Sequence, residues 1–285
     1  MNYKDITVLY IIGTGHSGST LLDLILGKHS QIFGAGELCS FSSKKGKIKN
    51  MICSCHKKVY DCFFWKKASK DLKGINTLNL KRSIFNFLFN RKRYFFRSNN
   101  KKVNLKEYLD INNKLFRNIS KISGKKIIID SSKQIDRAEA LSQSNEIEII
   151  FIHLIRNGKG VIWSYKKKNK NPLFSVFLWI ITNIKAEILK RRNKNIKSIL
   201  IRYEDFVRKP EKELKKILEI KNLNWEKNIL DFSQKQINHQ IAGNRLRLRE
   251  IINIREDLSL EKKLNFLDKL IFLLFGGLVN KFYDY

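Results

Sequence analysis

The chain has 285 residues, 43% of them hydrophobic, and its 57 Lys and Arg against 26 acidic residues give a formal charge of +31. This length and apolar content support one globular domain with a substantial core and exclude a disordered chain. The positive surplus points to polyanionic company: a phosphorylated cofactor, a phosphorylated or sulfated acceptor, nucleic acid or an anionic membrane surface, with a bias toward Lys, Asn and Ile accounting for part of it.

The first apolar run, Thr7 to Ile12, begins within a few residues of Met1 with no basic and apolar leader before it, so the sequence predicts a cytoplasmic protein. The run ends at a polar, Gly-rich turn, Gly13 to Thr20, that leads into Leu21, Leu22, Leu24, Ile25 and Leu26, which reads as strand, loop, helix. Gln31 to Glu37 carries two glycines and reads poorly as a strand. Residues 40–125, rich in Lys, Asn and Phe with little β signal, read as a mostly helical insertion able to cap a site.

All four cysteines, Cys39, Cys53, Cys55 and Cys62, fall near the start of this insertion. Their spacing lacks the two CxxC pairs of a zinc ribbon. Buried thiols are the default reading, with a zinc site using His56 or a redox-labile pair as alternatives.

Lys126 to Ile129 is a second apolar run, ending at Asp130-Ser131-Ser132-Lys133 before a helix-like Ile135 to Gln143. A third, Ile147 to Ile155, ends at Arg156-Asn157-Gly158 before a helical stretch around Val161 to Tyr165, and a fourth, Ser198 to Ile201, ends at Arg202-Tyr203-Glu204-Asp205. Short β-branched runs alternating with helices predict an α/β fold: a P-loop-type, three-layer domain over residues 1–285, with a central parallel sheet and ligands at the carboxyl ends of the strands. Two apolar patches, Leu173 to Ile181 and Leu270 to Val279, are too short to span a bilayer and read as buried helices, the second also able to touch a membrane face.

Three anion loops compete for Gly13-Thr14-Gly15-His16-Ser17-Gly18-Ser19-Thr20. Gly13, Gly15 and Gly18 meet the GxGxxG dinucleotide pattern, but that fold also needs a second strand closing on an acid about 20 residues later, and Gln31 to Glu37 reads poorly as that strand. A Walker A loop needs Lys where Ser19 follows Gly18, which argues against a nucleotide kinase or NTPase. A P-loop relative remains, built for a 5′-phosphate with a different leaving-group partner; a basic polyanion binder is the non-catalytic alternative, but nucleic acid gives no reason for such a loop.

His16-Ser17-Gly18-Ser19-Thr20 resembles the 5′-phosphosulfate loop of sulfotransferases, and Arg156-Asn157-Gly158-Lys159-Gly160-Val161-Ile162-Trp163-Ser164 resembles their 3′-phosphate motif. Segments at Asp130, Arg202 and Gly243-Asn244-Arg245-Leu246-Arg247 are similar to those of bacterial members, and Cys53-Ser54-Cys55 with Cys62-Phe63-Phe64-Trp65 looks like a cap feature of one bacterial branch. The resemblance implies a sulfotransferase that uses 3′-phosphoadenosine 5′-phosphosulfate (PAPS) as donor and a hydroxyl on a glycan, lipid, protein tyrosine or metabolite as acceptor. Gly15, His16, Ser17, Gly18, Ser19 and Thr20 would hold the 5′-phosphosulfate, and Arg156 and Ser164, with Arg247 closing over them, the 3′-phosphate.

Sulfuryl transfer is an in-line displacement that depends on positioning and cationic stabilisation and requires no metal, so no metal ligand is assigned to the site. By similarity to tyrosyl-protein and glycan sulfotransferases Lys133 would stabilise the sulfuryl group, and by similarity to the former Glu37 would be the general base; the structural alternatives are a surface Lys and a Glu that simply pairs with Lys or Arg. His16 stands where the family has Arg or Lys, so its charge is present only when it is protonated. Arg156 has a structural alternative, a salt bridge to Asp130.

Overall fold

The structure, a computed structural model, describes residues 5–42, 50–80, 87, 97–98, 101–231, 238–249, 254 and 264–285. Its centre is a five-stranded sheet of β1 (Ile6–Ile12), β2 (Ile32–Gly34), β5 (Ile127–Lys133), β6 (Ile147–Ile155) and β7 (Ser198–Arg202), in the order β2-β5-β1-β6-β7 with every pair parallel. A small hairpin, β3 (Arg97–Ser98) and β4 (Lys101–Lys102), stands apart from it.

The apolar runs are continuous because both sheet faces are covered. Along β1, Val8, Tyr10 and Ile12 enter one core, with Tyr108, Leu115 and Phe116 of α3 (Leu105–Ser123). Leu9 and Ile11 enter the opposite core, with Leu22 and Ile25 of α1 (Ser19–Leu26) and with Phe206 and Leu214. The period-2 pleat sorts successive residues to the two faces.

Parallel strands need crossovers, and helices supply them. After α1 and α2 (Phe63–Ala68), α3 leads to β5 and α4 (Ile135–Leu141) to β6. From β6, α5 (Gly158–Lys166) and α6 (Pro172–Arg192) lead to β7, which α7 (Tyr203–Arg208), α8 (Pro210–Glu219) and, beyond them, α9 (Phe266–Phe282) follow.

Three expectations change. Gln31 to Glu37 does contain a strand, β2, three residues long at the sheet edge beside β5. Its shortness and glycines hid it. Because β5 separates β2 from β1, the order also differs from the dinucleotide fold. Within 40–125, residues 43–49, 81–86, 88–96 and 99–100 lie outside the described residues, while α3 packs on the sheet as part of its helical cover.

The third change concerns the apolar patches. Leu173 to Ile181 lies in α6, whose 21 residues make it the one helix among those described that is long and apolar enough to cross a membrane by length and composition. Inside the fold it contributes buried Trp179 and Asn183, the latter 3.1 Å from His153 of β6. Leu270 to Val279 lies in α9, which buries Phe272 and Gly276 but leaves a broad apolar face in solvent.

One buried polar cluster ties β5 to two helices. Asp130 accepts from Arg137 Nη2 at 2.9 Å and Nε at 3.2 Å, and Arg137 Nη1 donates to Tyr108 Oη and Asn112 Oδ1, each at 2.7 Å. All four side chains are fully buried, so each polar group depends on its partners.

Candidate active site

Residues from six separate segments meet around a pocket of about 500 Å³ at the carboxyl end of the sheet. The Gly13–Gly18 loop joins β1 to α1, and Gly18 stands at the N-cap of α1 with φ 94° and no side-chain cap. Of the first-turn N–H groups, that of Leu21 donates to Gly18 O at 2.9 Å, while those of the pocket-lining Ser19 and Thr20 have no acceptor in the helix. Gly18 is required twice over: its φ is left-handed, and a Cβ there would lie 2.3 Å from the Tyr203 ring. Contact with Tyr203, rather than with phosphate alone, fixes this glycine. Ser17 is turned inward and donates to Thr14 O at 2.8 Å, so its hydroxyl does not line the pocket.

His16, at φ 68°, places Nδ1 3.0 Å from Ser164 Oγ, and its backbone carbonyl accepts from Arg156 Nη1 at 3.1 Å. Burial, reinforced by Lys168, Lys133 and Arg156, lowers its pKa to about 4. His16 is therefore neutral at pH 7 and does not supply the positive charge that an Arg or Lys there would; Lys133, Arg156 and Lys168 surround the same space.

Arg156 follows β6. Its carbonyl accepts from the Trp179 indole at 3.1 Å and its guanidinium lies 4.5 Å from the centre of the Tyr203 ring, which fixes both ends of the residue. Its Nε is buried without a hydrogen-bond partner among the described residues. The alternative salt bridge to Asp130 is not formed, because Asp130 is held by Arg137 and β1 separates the two strands.

Glu37 and Lys133 face each other across the pocket wall. Lys133 ends β5 at φ 64°, and its Nζ donates to Glu37 Oε1 at 2.6 Å and to Ser131 O at 2.7 Å. Behind them, buried Asp23 accepts from Gly36 N, Ser131 Oγ and Gln240 Nε2 at 3.0, 2.7 and 2.7 Å. Burial raises Asp23 to about 7 even against these three donors. Glu37 N donates to Ile241 O at 2.8 Å, so residues 240–241 brace the loop that carries Glu37.

Of the residues singled out from sequence, Gly15, His16, Gly18, Ser19, Thr20, Glu37, Lys133, Arg156 and Ser164 line the pocket. Arg247 does not. It donates to Asn244 O at 3.2 Å and Ile52 O at 2.7 Å, fastening the loop whose Gly243, Asn244 and Leu246 form the pocket wall. Sequence reasoning also missed Lys168 and Tyr203. Lys168 stands four positions after Ser164, the helical spacing that shares a face, but it was hidden in a run of lysines. His153, set against Asn183 and Glu187 at 3.1 and 3.3 Å inside the fold, is structural.

No family model matches the sequence, and no curated protein matches it either. Solved structures do. The sulfotransferase domain from the curacin biosynthetic pathway superposes with a TM-score of 0.58 at 18% identity, over 97% of this chain and 99% of that one. The sulfotransferase domain of the Synechococcus PCC 7002 olefin synthase gives 0.52 at 16% identity, over 100% of this chain and 97% of that one. With its all-parallel sheet, its helical layers and a P-loop-like turn after β1, this chain has the fold of these sulfotransferase domains.

Proposed function

We propose that the protein transfers a sulfuryl group from PAPS to a hydroxyl acceptor. One observation carries this reading: an uncapped helix N-terminus, Arg156 and Ser164 each bonded to His16, and a Lys133–Glu37 ion pair share a single pocket that has no Walker lysine. Among the described residues the Arg156 Nε has no partner, and the fork of Arg suits a phosphate bidentately. In the proposed reaction the bond between sulfur and the bridging phosphate oxygen breaks as the acceptor oxygen attacks in line. Glu37 takes the acceptor's proton, the bridging oxygen leaves on 3′,5′-bisphosphoadenosine, and Lys133 balances the charge that gathers there. The Lys133 contact holds the Glu37 carboxylate in one orientation.

The nucleotide test is differential. 3′,5′-Bisphosphoadenosine should raise the melting temperature more than ATP at equal concentration, because ligand that binds only the folded state stabilises it by mass action. Arg156→Ala and Ser164→Ala should each reduce that gain while barely changing the response to a nucleotide without the 3′-phosphate. An equal or larger shift with ATP counts against the donor; parallel losses for both ligands remove the two residues from the 3′-phosphate.

The proposal extends to where the acceptor is met. Phe266, Leu267, Leu273, Leu274, Leu278 and Phe282 of α9 are 62% to 86% exposed, and an apolar groove of about 330 Å³ runs between α9 and α6 along Ile184, Ile188, Leu278 and Phe282. On a chain of charge +31, this face suits an anionic lipid surface. Co-sedimentation with phosphatidylserine vesicles should be strong at low salt and lost in the double variant Leu274→Glu, Leu278→Glu. Equal binding by the variant, or none by the parent, ends this part of the proposal.

A further inference from the structure

The cysteines that the sequence left as thiols, a redox pair or ligands beside His56 are gathered differently by the fold. Cys53, Cys55 and Cys62 meet His239, and the four ligand atoms all lie within 4.8 Å of one another. His56 is exposed at φ 67° in the turn and is not one of the four. All four cysteines of the chain are free, and Cys39 lies elsewhere, its N–H bonded to Ser132.

From this geometry we propose that Cys53, Cys55, Cys62 and His239 form a tetrahedral, structural zinc site that staples the insertion to the wall of the active-site pocket. Zinc bonds of about 2.3 Å to sulfur and about 2.0 Å to nitrogen, at the tetrahedral angle, put sulfurs ~3.8 Å apart and sulfur ~3.5 Å from nitrogen. The Cys55 and Cys62 sulfurs are 3.6 Å apart, and His239 Nδ1 lies 3.2 Å from Cys62 Sγ and 3.8 Å from Cys53 Sγ. Three thiolates and one imidazole are a closed set for zinc, with no position left for substrate, which separates this site from the chemistry in the pocket.

The surroundings are those of a ligand shell. Backbone N–H groups of Cys55 and Trp65 donate to the Cys53 and Cys62 sulfurs, the interaction that steadies a thiolate. Phe64 stacks on the His239 ring with centroids 5.0 Å apart and 9° between planes, and the Trp65 indole N–H donates to the His239 carbonyl. Ser54 pins the two ligand-bearing segments side by side: its N donates to Gln240 O at 3.0 Å, and its hydroxyl accepts from Gln240 N at 2.9 Å.

His239 is followed directly by Gln240, which bonds Asp23 behind Glu37, by Ile241, which bridges Gly36, and by Asn244, whose N–H donates to Thr20 Oγ1 at 3.1 Å. A metal at His239 therefore holds the insertion and the phosphate loop in one frame.

Protein purified without added metal should contain one equivalent of zinc by elemental analysis. Dialysis against a chelator should lower the melting temperature, zinc but not magnesium should restore it, and cobalt in place of zinc should give thiolate-to-metal charge-transfer absorption. Cys55→Ala, which removes the half-exposed ligand, should weaken zinc binding at least tenfold. Absence of zinc together with no zinc-dependent shift, a disulfide among these cysteines in freshly purified protein, or unchanged zinc affinity in Cys55→Ala overturns the proposal. Should Cys55→Ala not fold, the parent protein decides: lack of charge-transfer absorption with cobalt overturns it equally. None of these readouts depends on sulfuryl transfer.

Discussion

Glu37→Gln should bind the donor normally yet turn over roughly 10²- to 10⁴-fold more slowly, the usual contribution of a general base. The amide keeps the shape of the side chain, and its oxygen can still accept from Lys133 Nζ, now 2.6 Å from Glu37 Oε1, so the pocket wall stays in place. Only the capacity to take the acceptor's proton is lost. Lys133→Ala should also slow turnover, but through missing charge stabilisation, so its defect should persist at high pH. The Glu37→Gln defect should shrink there when a phenol is offered, because an ionised phenol needs no base. Steady-state rates on both variants across pH decide the matter, and near-normal turnover by Glu37→Gln at neutral pH removes Glu37 from the role.

Asp130→Ala should cost about 3–5 kcal/mol of stability, the penalty for stranding one member of a buried ion pair. Arg137 is fully buried, and with Asp130 gone its guanidinium keeps only Tyr108, Asn112 and the Leu78 carbonyl, none of them charged. The double variant Asp130→Leu, Arg137→Met should recover much of the loss, since it strands no charge. Urea unfolding of the three proteins supplies the test; a loss under about 1 kcal/mol in Asp130→Ala would mean that water or rearrangement rescues Arg137.

The four longer strands were legible because each is an apolar run closed by a polar cluster, and the pocket residues Glu37, Lys133 and Arg156 sit just after such runs or near the first helix. What escaped were features that only tertiary structure creates. The β2 strand is three residues long and gains its identity from pairing with β5. His239 stands far along the chain from the cysteines it joins, so no local spacing could announce it. Arg247, which its motif marks as a phosphate ligand, sets Nη1 and Nη2 on the carbonyls of Asn244 and Ile52 outside the pocket lining, with Nε unpartnered among the described residues. Solvent exposure of α9 was equally hidden, since an apolar run looks the same whether a helix is covered or not.

The placement of β1 in the middle of the sheet fixes the order in which the molecule can be assembled. Thr7 pairs with Ile127 and Ile6 with Ile147, so β1 has no strand partner until β5 has been made and lacks its second until β6 has followed. At translation rates of 5–20 residues per second, its apolar residues wait on the order of ten seconds for a strand partner, with only the neighbouring α1 to pack against. The phosphate loop precedes its partners in the chain, so its contacts with Arg156 and Ser164 can form only after those residues are made, and the Asn244–Thr20 bond only later still. A nascent chain halted before residue 244 would carry the loop sequence without a finished pocket.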